Sequence, residues 1–278
     1  MNHSGPKVAI ITGGASGIGR ALCEELARTN AIIIAADINL EGAEQVATDI
    51  NAKGGNARAR SLDVTDAEAV KALIKQTTAE YGRLDFMFNN AGISVGAEVR
   101  DMSLEHFRAI LDTNLYGVIY GSIYAYDVMV KQGFGHIVNT ASTAGLIPMP
   151  VQVPYSATKF GVVGFSKSLR FEAADLGVSV SVVCPGFVRT GIFDAMPFLK
   201  VDKQKIYGKI PKMVEPDRAA QIILKGVRKN KAVIVFPFST RFFVWFYRLH
   251  PPFLAPFQRK IIGDFRQLRA EYEHSDSS

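Results

Sequence analysis

Seven short apolar segments alternate with longer segments of helical periodicity along this chain. Most of the short segments are rich in Ile, Val and Phe and show no strict polar–apolar alternation, which is typical of strands covered on both faces. Repeated strand–helix units predict an α/β fold with a doubly wound, seven-stranded parallel sheet, right-handed crossovers and helices on both faces. The segments begin at Lys7, Ala31, Ala57, Arg83, Gly135, Val178 and Ala232.

The length of 278 residues, of which 48% are apolar, is compatible with one hydrophobic core. We therefore expect a nucleotide-binding catalytic domain over residues 1–237 and a C-terminal extension over residues 238–278, packed on or beside the same domain. Within the first domain, Thr65 followed by Glu68 has the spacing of a capping box and predicts the start of a helix.

The turn after the first strand reads TGGASGIGR, from Thr12 to Arg20. Its glycines allow a tight turn and a close approach of the backbone to a ligand, and the helix that follows presents free N–H groups to an anion. The spacing matches neither G-x-G-x-x-G nor a P-loop. Because ligands on a doubly wound sheet bind at the carboxyl ends of the strands, this turn is a candidate phosphate site.

A carboxylate, Asp37, ends the second strand. It can accept hydrogen bonds from both hydroxyls of an adenosine ribose and would repel a 2′-phosphate, and no Arg or Lys stands at Ser16, Ile38 or Asn39 to offset that repulsion. The sequence therefore favours NAD over NADP. Asp63 and Val64, after the third strand, are expected beside the adenine.

Three polar residues follow the fifth strand. Ser142 ends that strand, and Tyr155 and Lys159 stand at i and i+4 of a helix, so both project from one helical face. A tyrosine is a poor base at neutral pH, but a fixed ammonium nearby favours the phenolate and lets Tyr155 exchange a proton with an alcohol or ketone oxygen. Ser142 can donate a second hydrogen bond to that oxygen.

Taken together, the motifs resemble those of the short-chain dehydrogenase/reductases. They are TGxxxGxG at Thr12–Gly19, NNAG at Asn89–Gly92, Asn114 in DTNLYG, Ser142, YxxxK at Tyr155–Lys159 and PGFVRT at Pro185–Thr190. The resemblance covers roughly residues 6–236. It implies a Rossmann fold, reversible hydride transfer between a carbinol carbon and nicotinamide C4, and no metal.

The same resemblance implies roles for individual residues. Tyr155 would be the general acid/base, Ser142 would hold the substrate oxygen, Lys159 would also bind the nicotinamide ribose, and Asn114 would support a proton-relay water. The cofactor-binding residues expected on this basis are Thr12, Gly13, Ser16, Gly17, Ile18, Gly19, Asp37, Asp63, Val64, Asn90, Ala91, Gly92, Tyr155, Lys159, Pro185, Gly186, Val188 and Thr190.

The residues between Ser142 and Tyr155 are uncharged and largely apolar, with Gln152 as a polar exception. This composition favours a hydrophobic, lipid- or steroid-like alcohol or ketone as substrate. Residues 187–216 form a candidate lid that combines apolar residues, Phe193 among them, with five lysines. Two alternatives stay open: an NADPH-dependent reductase of 3-oxoacyl thioesters, and a non-catalytic nucleotide-binding scaffold.

Basic residues are concentrated late in the chain, where residues 200–269 contain sixteen Lys or Arg against four Asp or Glu. Such an excess is compatible with nucleic acid, an anionic membrane surface or an anionic substrate, but no zinc-finger spacing or RNA-binding signature accompanies it, so we expect no nucleic-acid partner. The two cysteines, Cys23 and Cys184, predict reduced intracellular thiols. With no evident signal peptide or membrane-spanning segment, we expect a cytoplasmic enzyme, a homodimer or homotetramer as is common in the family.

The segment after the last strand contains the only tryptophan. Phe242, Trp245, Phe246 and Leu249 follow the spacing i, i+3, i+4, i+7, which predicts an amphipathic aromatic helix that stops before Pro251 and Pro252. Three interpretations are open for this helix. It packs on its own domain or a partner subunit, it forms a wall of the substrate mouth, or residues 239–260 make peripheral contact with a membrane.

Overall fold

A computed structural model describes residues 5–191, 195–207 and 213–276 and contains a seven-stranded, all-parallel sheet. The strand order is β3-β2-β1-β4-β5-β6-β7, with the reversal of winding between β1 and β4. Every strand predicted from sequence is present. The strands are β1 Val8–Thr12, β2 Ile32–Asp37, β3 Asn56–Ser61, β4 Phe86–Asn89, β5 Gly135–Thr140, β6 Val178–Pro185 and β7 Val233–Phe236.

Helices connect the strands and extend the chain beyond the last one. A single π-helical turn, Asp112–Tyr116, joins the fourth helix to the fifth. The α-helices are α1 Gly17–Ala27, α2 Leu40–Ala52, α3 Ala67–Tyr81, α4 Leu104–Leu111, α5 Gly117–Gln132, α6 Val153–Ala173, α7 Lys203–Tyr207, α8 Pro216–Arg228, α9 Phe238–Leu249 and α10 Ala255–Asp276.

The capping box predicted at Thr65 is wrong. Helix α3 is capped by Asp66, whose carboxylate accepts hydrogen bonds from the backbone N–H groups of Glu68 at 2.9 Å and Ala69 at 3.0 Å. The Thr65 hydroxyl instead donates to Asp63 at 2.8 Å. A carboxylate one residue closer to the helix is the stronger acceptor at a positively polarised N-terminus.

The core has one layer on each face of the sheet, because successive strand residues point to opposite faces. On one face Ile11 and Ile33 pack against apolar residues of α1, α2 and α8. On the other face Ile10 and Ile34 pack against α3, α5 and α6. Burying one such aliphatic side chain contributes about 1.5–3 kcal/mol, so both helical layers are held by the sheet. The doubly wound α/β fold expected from the sequence is confirmed.

The C-terminal extension covers the carboxyl edge of the last strands. Helix α9 ends before Pro251, as the sequence predicts, and a short 3-10 turn leads into α10. Val244 of α9 and Leu254 of the turn are buried in the same cluster as Val182 and Cys184 of β6. Helix α10 was not predicted from the sequence. The division of the chain at residue 237, the oligomeric state and the cytoplasmic location stay predictions.

None of the described helices combines the length and the apolar character needed to span a bilayer.

Candidate active site

The turn between β1 and α1 brings the backbone close to two neighbouring loops. Gly13 and Gly17 adopt positive φ angles of 67° and 52°. A Cβ atom on Gly13 would lie 3.0 Å from Ala91 Cα, and one on Gly17 would lie 2.9 Å from Thr190 Cβ. Only glycine combines this conformation with such close packing. The first turn of α1 contains no acidic residue, and the Ser16 side chain makes no capping hydrogen bond, so the N–H groups there are available to an anion.

Two residues of the predicted cofactor set, Thr12 and Gly19, lie behind this turn and do not line the cavity. The buried Thr12 hydroxyl accepts hydrogen bonds from the N–H groups of Asn90 at 2.9 Å and Ala91 at 3.1 Å. A Cβ atom on Gly19 would lie 1.9 Å from the Gly13 oxygen. Their place in the structure is therefore to shape the turn and join it to the loop after β4.

Asp37 lies at the carboxyl end of β2, beside the glycine-rich turn. Its carboxylate accepts hydrogen bonds from the backbone N–H groups of Ala15 at 3.0 Å and Asn39 at 2.9 Å. No ion pair of Asp37 occurs within the described part of the chain, and its side chain lines the cavity together with Asp63 and Val64. An unneutralised carboxylate thus faces the end of the cavity that lies under β2 and β3.

Ser142, Tyr155 and Lys159 come together at the carboxyl end of β5. The Ser142 side chain lies near the Tyr155 hydroxyl, and both side chains line the cavity. Lys159 Nζ lies 5.4 Å from the centroid of the Tyr155 ring and donates to the Thr140 carbonyl at 2.9 Å. All three residues line one cavity, so an oxygen placed there can meet two hydroxyl groups with an ammonium nearby.

Burial governs the protonation of this cluster. It raises the pKa of Tyr155, and the hydrogen bond from Ser142 opposes that rise without cancelling it. Burial lowers the pKa of Lys159 to about 8, so the amine is still mostly protonated at neutral pH. From the sequence, the Lys159 ammonium is expected to favour the phenolate form of Tyr155. In the structure the net direction for Tyr155 is upward, because an ionised phenol loses more hydration on burial than the neutral form does.

Asn114 lies in the π-helical turn and is fully buried. Its amide accepts from Ile93 N–H and donates to Ile93 C=O, both at 2.8 Å. A Cβ atom on Gly92 would lie 3.1 Å from Asn114 Oδ1 and 3.6 Å from Lys159 Nζ. Asn114 therefore holds the loop after β4 beside the lysine and does not itself line the cavity. π-helical turns often occur at functional sites, because the extra residue redirects a side chain.

One cavity of about 1500 Å³ connects these features. It runs along the carboxyl edge of the sheet from the glycine-rich turn to the Ser142–Tyr155 pair. Of the residues predicted from the sequence, those that line it are Gly13, Ser16, Gly17, Ile18, Asp37, Asp63, Val64, Asn90, Ala91, Gly92, Ser142, Tyr155, Lys159, Pro185, Gly186, Val188 and Thr190. The backbone turn, the open helix N-terminus and the carboxylate under β2 together fit a dinucleotide.

Beyond Tyr155 the cavity wall is mostly apolar, although Lys260 and Asp264 of α10 also line it. Gln152 is a polar exception, and its Nε2 lies 3.4 Å from Ser94 Oγ. The apolar residues come from four parts of the chain and are Val95, Ile147, Met149, Met196, Phe198, Phe243, Leu254, Phe257, Ile261, Phe265 and Leu268. The contribution of α10 was missed, although Phe257, Ile261, Phe265 and Leu268 follow the spacing of one helical face, a signal present in the sequence.

Three loops that surround the apolar wall are joined by backbone hydrogen bonds. Gly96 N–H donates to Pro197 C=O and Gly96 C=O accepts from Leu199 N–H, both at 3.0 Å, while Ala97 N–H donates to Val151 C=O at 2.9 Å. The lid expected at residues 187–216 thus contributes Met196 and Phe198 to the wall. Phe193, also expected there, lies outside the described residues.

The lid lysines described in the structure do not line the cavity. Lys205 forms an ion pair of 2.6 Å with Glu271 of α10, and Lys200 is exposed. Lys209 and Lys212 lie outside the described residues. Within the described ranges, no group of three His, Cys, Asp or Glu side chains could hold a metal ion.

Comparisons with known proteins agree with this geometry. Residues 7–197 match the family model described as short chain dehydrogenase. The chain is 35% identical over 223 residues to cyclohexanol dehydrogenase from Acinetobacter sp., covering 80% of this chain and 88% of that protein. It is 38% identical over 199 residues to 3-oxoacyl-[acyl-carrier-protein] reductase from Haemophilus influenzae, covering 72% and 79%.

A solved structure extends the likeness to the whole fold. A short-chain dehydrogenase/reductase from Burkholderia phymatum in complex with NAD superposes with a TM-score of 0.78 at 26% identity, covering 97% of each chain. The protein described here therefore belongs to the short-chain dehydrogenase family and is an oxidoreductase that acts on CH–OH groups with NAD or NADP.

Proposed function

We propose that the protein is an NAD-dependent oxidoreductase that transfers a hydride between a secondary alcohol or ketone of a hydrophobic, lipid- or steroid-like compound and nicotinamide. The observation that carries this proposal is the placement of Ser142, Tyr155 and Lys159 together at the junction of two differently lined parts of one cavity. One part has the glycine-rich turn, and the other has an apolar wall. The reacting carbon would lie where they meet.

The side chains at this junction divide the work of alcohol oxidation. Ser142 and Tyr155 would bind the substrate oxygen, and the ionised form of Tyr155, a minor species at neutral pH because its pKa is raised, would take the hydroxyl proton as the carbon–hydrogen bond breaks and the carbonyl forms. NAD bound in this cavity would supply the hydride acceptor. Lys159 keeps a positive charge beside the phenolate, and Asn114 positions the loop that packs next to Lys159. Ketone reduction uses the same groups in reverse.

The Asp37 carboxylate supports the preference for NAD over NADP. Its carboxylate is oriented by two backbone N–H groups and meets no Arg or Lys among the described residues, so nothing offsets its repulsion of a 2′-phosphate. A ribose with free hydroxyls can instead donate hydrogen bonds to it. The structural relative from Burkholderia phymatum was solved with NAD, which supports the same preference.

The apolar wall of the cavity supports a hydrophobic alcohol or ketone as substrate. Burial of a nonpolar ring or chain among aromatic and aliphatic side chains is favourable, whereas a free sugar would lose hydration there without enough hydrogen-bond partners. Gln152 provides a polar contact within this wall. The name of the Acinetobacter relative, cyclohexanol dehydrogenase, is consistent with a nonpolar secondary alcohol.

An NADPH-dependent reductase of 3-oxoacyl thioesters is the competing enzyme function, and the relative from Haemophilus influenzae supports it. It would need cations near the mouth for the phosphate of a carrier. Lys260 lines the cavity and could take that role, whereas Lys205 is already paired with Glu271, and Asp37 opposes NADPH. A non-catalytic scaffold is disfavoured because Ser142, Tyr155 and Lys159 are all held at one site.

Rates of NADH formation with a panel of secondary alcohols of increasing hydrophobic size test the proposal. We expect turnover with NAD and a higher kcat/KM for larger nonpolar alcohols, and a loss of about a hundredfold or more in Tyr155→Phe. Tyr126→Phe is the matched control, since Tyr126 lies on α5 with its hydroxyl near Glu172 C=O. Preferential reduction of an acetoacetyl thioester with NADPH would favour the competing function instead.

A further inference from the structure

Helix α9 presents a row of large apolar side chains to solvent. The exposed fractions are 80% for Phe238, 58% for Phe242, 56% for Trp245 and 66% for Leu249. These positions are spaced by four, three and four residues, so they lie along one face of the helix. We call these four residues the outer stripe. A row of this kind on a helix surface marks an interaction site more often than isolated exposed residues do.

The opposite side of α9 is already occupied by its own domain. Val244 is 5% exposed and packs in the cluster that contains residues of β6. Phe243 lines the cavity and lies within aromatic contact of Phe253 and Phe257, with ring centroids 6.2 Å and 6.4 Å apart. Packing on its own domain and forming a wall of the substrate mouth thus both describe one side of the helix, and they leave the outer stripe unexplained.

The charged side chains of α9, and those at the start of α10, are all positive. Arg241, Arg248, Arg259 and Lys260 are exposed, and none has a carboxylate partner among the residues that the structure describes. The sequence from residue 218 to residue 263 contains no Asp or Glu at all. A surface with apolar side chains beside unpaired cations complements anionic lipid headgroups over an acyl interior.

A second copy of this chain is a poorer match to the same surface. In a two-fold symmetric contact each stripe would meet the identical stripe, which would bring arginines of the two copies near one another. This segment contains no acidic residue to neutralise them. An anionic bilayer provides both an apolar interior and the missing negative charge.

We propose that the outer stripe of α9 docks in the plane of an anionic membrane, with Phe242, Trp245 and Leu249 inserted among the acyl chains and Arg241 and Arg248 at the headgroups. Tryptophan favours this boundary, because its ring is apolar and its N–H can donate to interfacial groups. The helix is only 12 residues long, so it lies in the surface and does not cross it.

The cavity reaches the protein surface beside helix α9. Phe257 is 52% exposed and lines the cavity, and its ring centroid lies 6.4 Å from that of Phe243 on α9. A hydrophobic compound dissolved in the bilayer could then enter without crossing water. This consequence rests on the proposed function, whereas the docking itself depends only on the surface.

Trp245 allows a direct test, since it is the only tryptophan in the chain. The full-length protein is mixed with vesicles of phosphatidylcholine alone or of phosphatidylcholine with phosphatidylglycerol, and the emission spectrum is recorded, then repeated with acyl-brominated lipids. We expect a blue shift and bromine quenching with the anionic vesicles, weakened by added salt. An unchanged Trp245 emission in anionic vesicles would overturn the proposal without any variant being made.

Two double substitutions test separately the contributions of the apolar and the cationic side chains of α9 to vesicle binding. Phe242→Ser with Leu249→Ser is expected to weaken partition into anionic vesicles by about tenfold or more, since two large apolar side chains lose their burial. Phe171→Ser is the matched control, because Phe171 is 83% exposed on α6. Arg241→Gln with Arg248→Gln should weaken binding to anionic vesicles and leave binding to neutral ones unchanged. Equal partition of native and serine variants contradicts the proposal.

The two remaining outcomes are also decisive. In one outcome the native protein does not bind vesicles, and the serine variant changes the oligomeric state measured by light scattering. The outer stripe is then an interface between copies, and the membrane proposal fails. Tyr155→Phe should bind vesicles as tightly as the native protein does. Docking and the proposed catalytic function can therefore fail independently.

Discussion

Arg269 of α10 and Asp101, which follows β4, form a two-pronged ion pair in which Nε and one terminal nitrogen each donate to a carboxylate oxygen at 2.9 Å. The pair joins residues 168 positions apart and is mostly shielded from solvent. A neighbouring pair, Arg266 with Glu98, also measures 2.9 Å. These two ion pairs, near the C-terminal end of α10, thus hold the helix across the apolar part of the cavity.

Arg269→Ala removes the ion pair with Asp101 and is expected to raise the KM for large nonpolar alcohols several-fold. The effect on the KM for small alcohols should be smaller. The reason is that Phe265 and Leu268, next to the ion pair, form the cavity wall. Steady-state kinetics with a size series of alcohols measures the effect. Lys131→Ala is the control, because Lys131 pairs with Asp127 in an exposed position on α5. Equal KM values for all three proteins would show that α10 does not depend on the pair.

The Arg269–Asp101 pair is expected to resist mild acid. Arg269 holds the pKa of Asp101 below its usual value. A carboxyl group with a depressed folded-state pKa contributes stability above its unfolded-state pKa and loses it as the pH falls through the folded-state value. The KM for large alcohols should therefore stay constant down to the ordinary titration range of aspartate. A rise in KM already near neutral pH would contradict this assignment.

Asp37→Asn is expected to reduce the preference for NAD over NADP by about tenfold or more, because it removes a like charge worth at least ~1.4 kcal/mol against a 2′-phosphate. Asparagine keeps an oxygen that can accept from Ala15 N–H, so the turn should persist. The ratio of kcat/KM for the two cofactors measures the change. An unaltered ratio, or a native preference for NADPH, would refute the role given to Asp37.

Lys159→Met is expected to reduce alcohol oxidation by about a hundredfold or more while leaving thermal stability at neutral pH close to native. A buried ammonium costs free energy in the folded state, which the substitution removes, although the Thr140 carbonyl loses its donor. Lys167→Met is the matched control, since Lys167 lies exposed on the same helix. Loss of folding in Lys159→Met alone would indicate a structural role.

The pH dependence of stability gives a second readout for Lys159. Its pKa is lowered from 10.5 to about 8, so between these values the unfolded chain binds more protons than the folded one. The free energy of unfolding contributed by this group therefore rises with pH over that window. Denaturant titrations at several alkaline pH values should show the rise in native protein and its absence in the methionine variant.

His136 is expected to make the fold sensitive to acid. Burial lowers its pKa from 6.5 to about 4. Ser181 donates its one hydroxyl proton to Lys231 C=O at 2.7 Å, so His136 Nε2–H must be the donor in the 2.8 Å bond to Ser181. Because this pKa lies well below 7, the ring is neutral at neutral pH in the folded protein.

Protonation of His136 favours the unfolded chain, so the free energy of unfolding should fall by up to about 3 kcal/mol as the pH drops from 6.5 toward 4. His136→Gln keeps an N–H donor for Ser181 and has no charge to gain. Urea unfolding across this pH range should be clearly flatter in the variant. Parallel curves for variant and native protein would assign the acid sensitivity to other groups.

Local patterns in the sequence were sufficient for the sheet and for the residues gathered at its edge. Strand composition and helical periodicity are properties of short segments, and the carboxyl ends of parallel strands must meet at one edge. Glycines at Gly13 and Gly17 and the spacing of Tyr155 and Lys159 are local in the same sense. Their chemistry could be argued before any contact was known.

Other features depended on competition between groups distant in sequence. The cap of α3 passed to Asp66 because two acceptors compete for the same N–H groups. The pKa of Tyr155 moved upward because burial is set by residues from several elements. Neither the outcome of the competition between capping groups nor the burial of Tyr155 can be derived from residue spacing alone.

The C-terminal extension separates the two kinds of information most clearly. The sequence by itself determined that α9 is an amphipathic aromatic helix ending before Pro251, since periodicity and proline act locally. Only the tertiary structure decided which side faces inward. Val244 fills the space above β6, so Phe242, Trp245 and Leu249 are left outside, and α10 closes over the cavity through ion pairs with Asp101 and Glu98. Packing against a surface built by the rest of the chain made that choice.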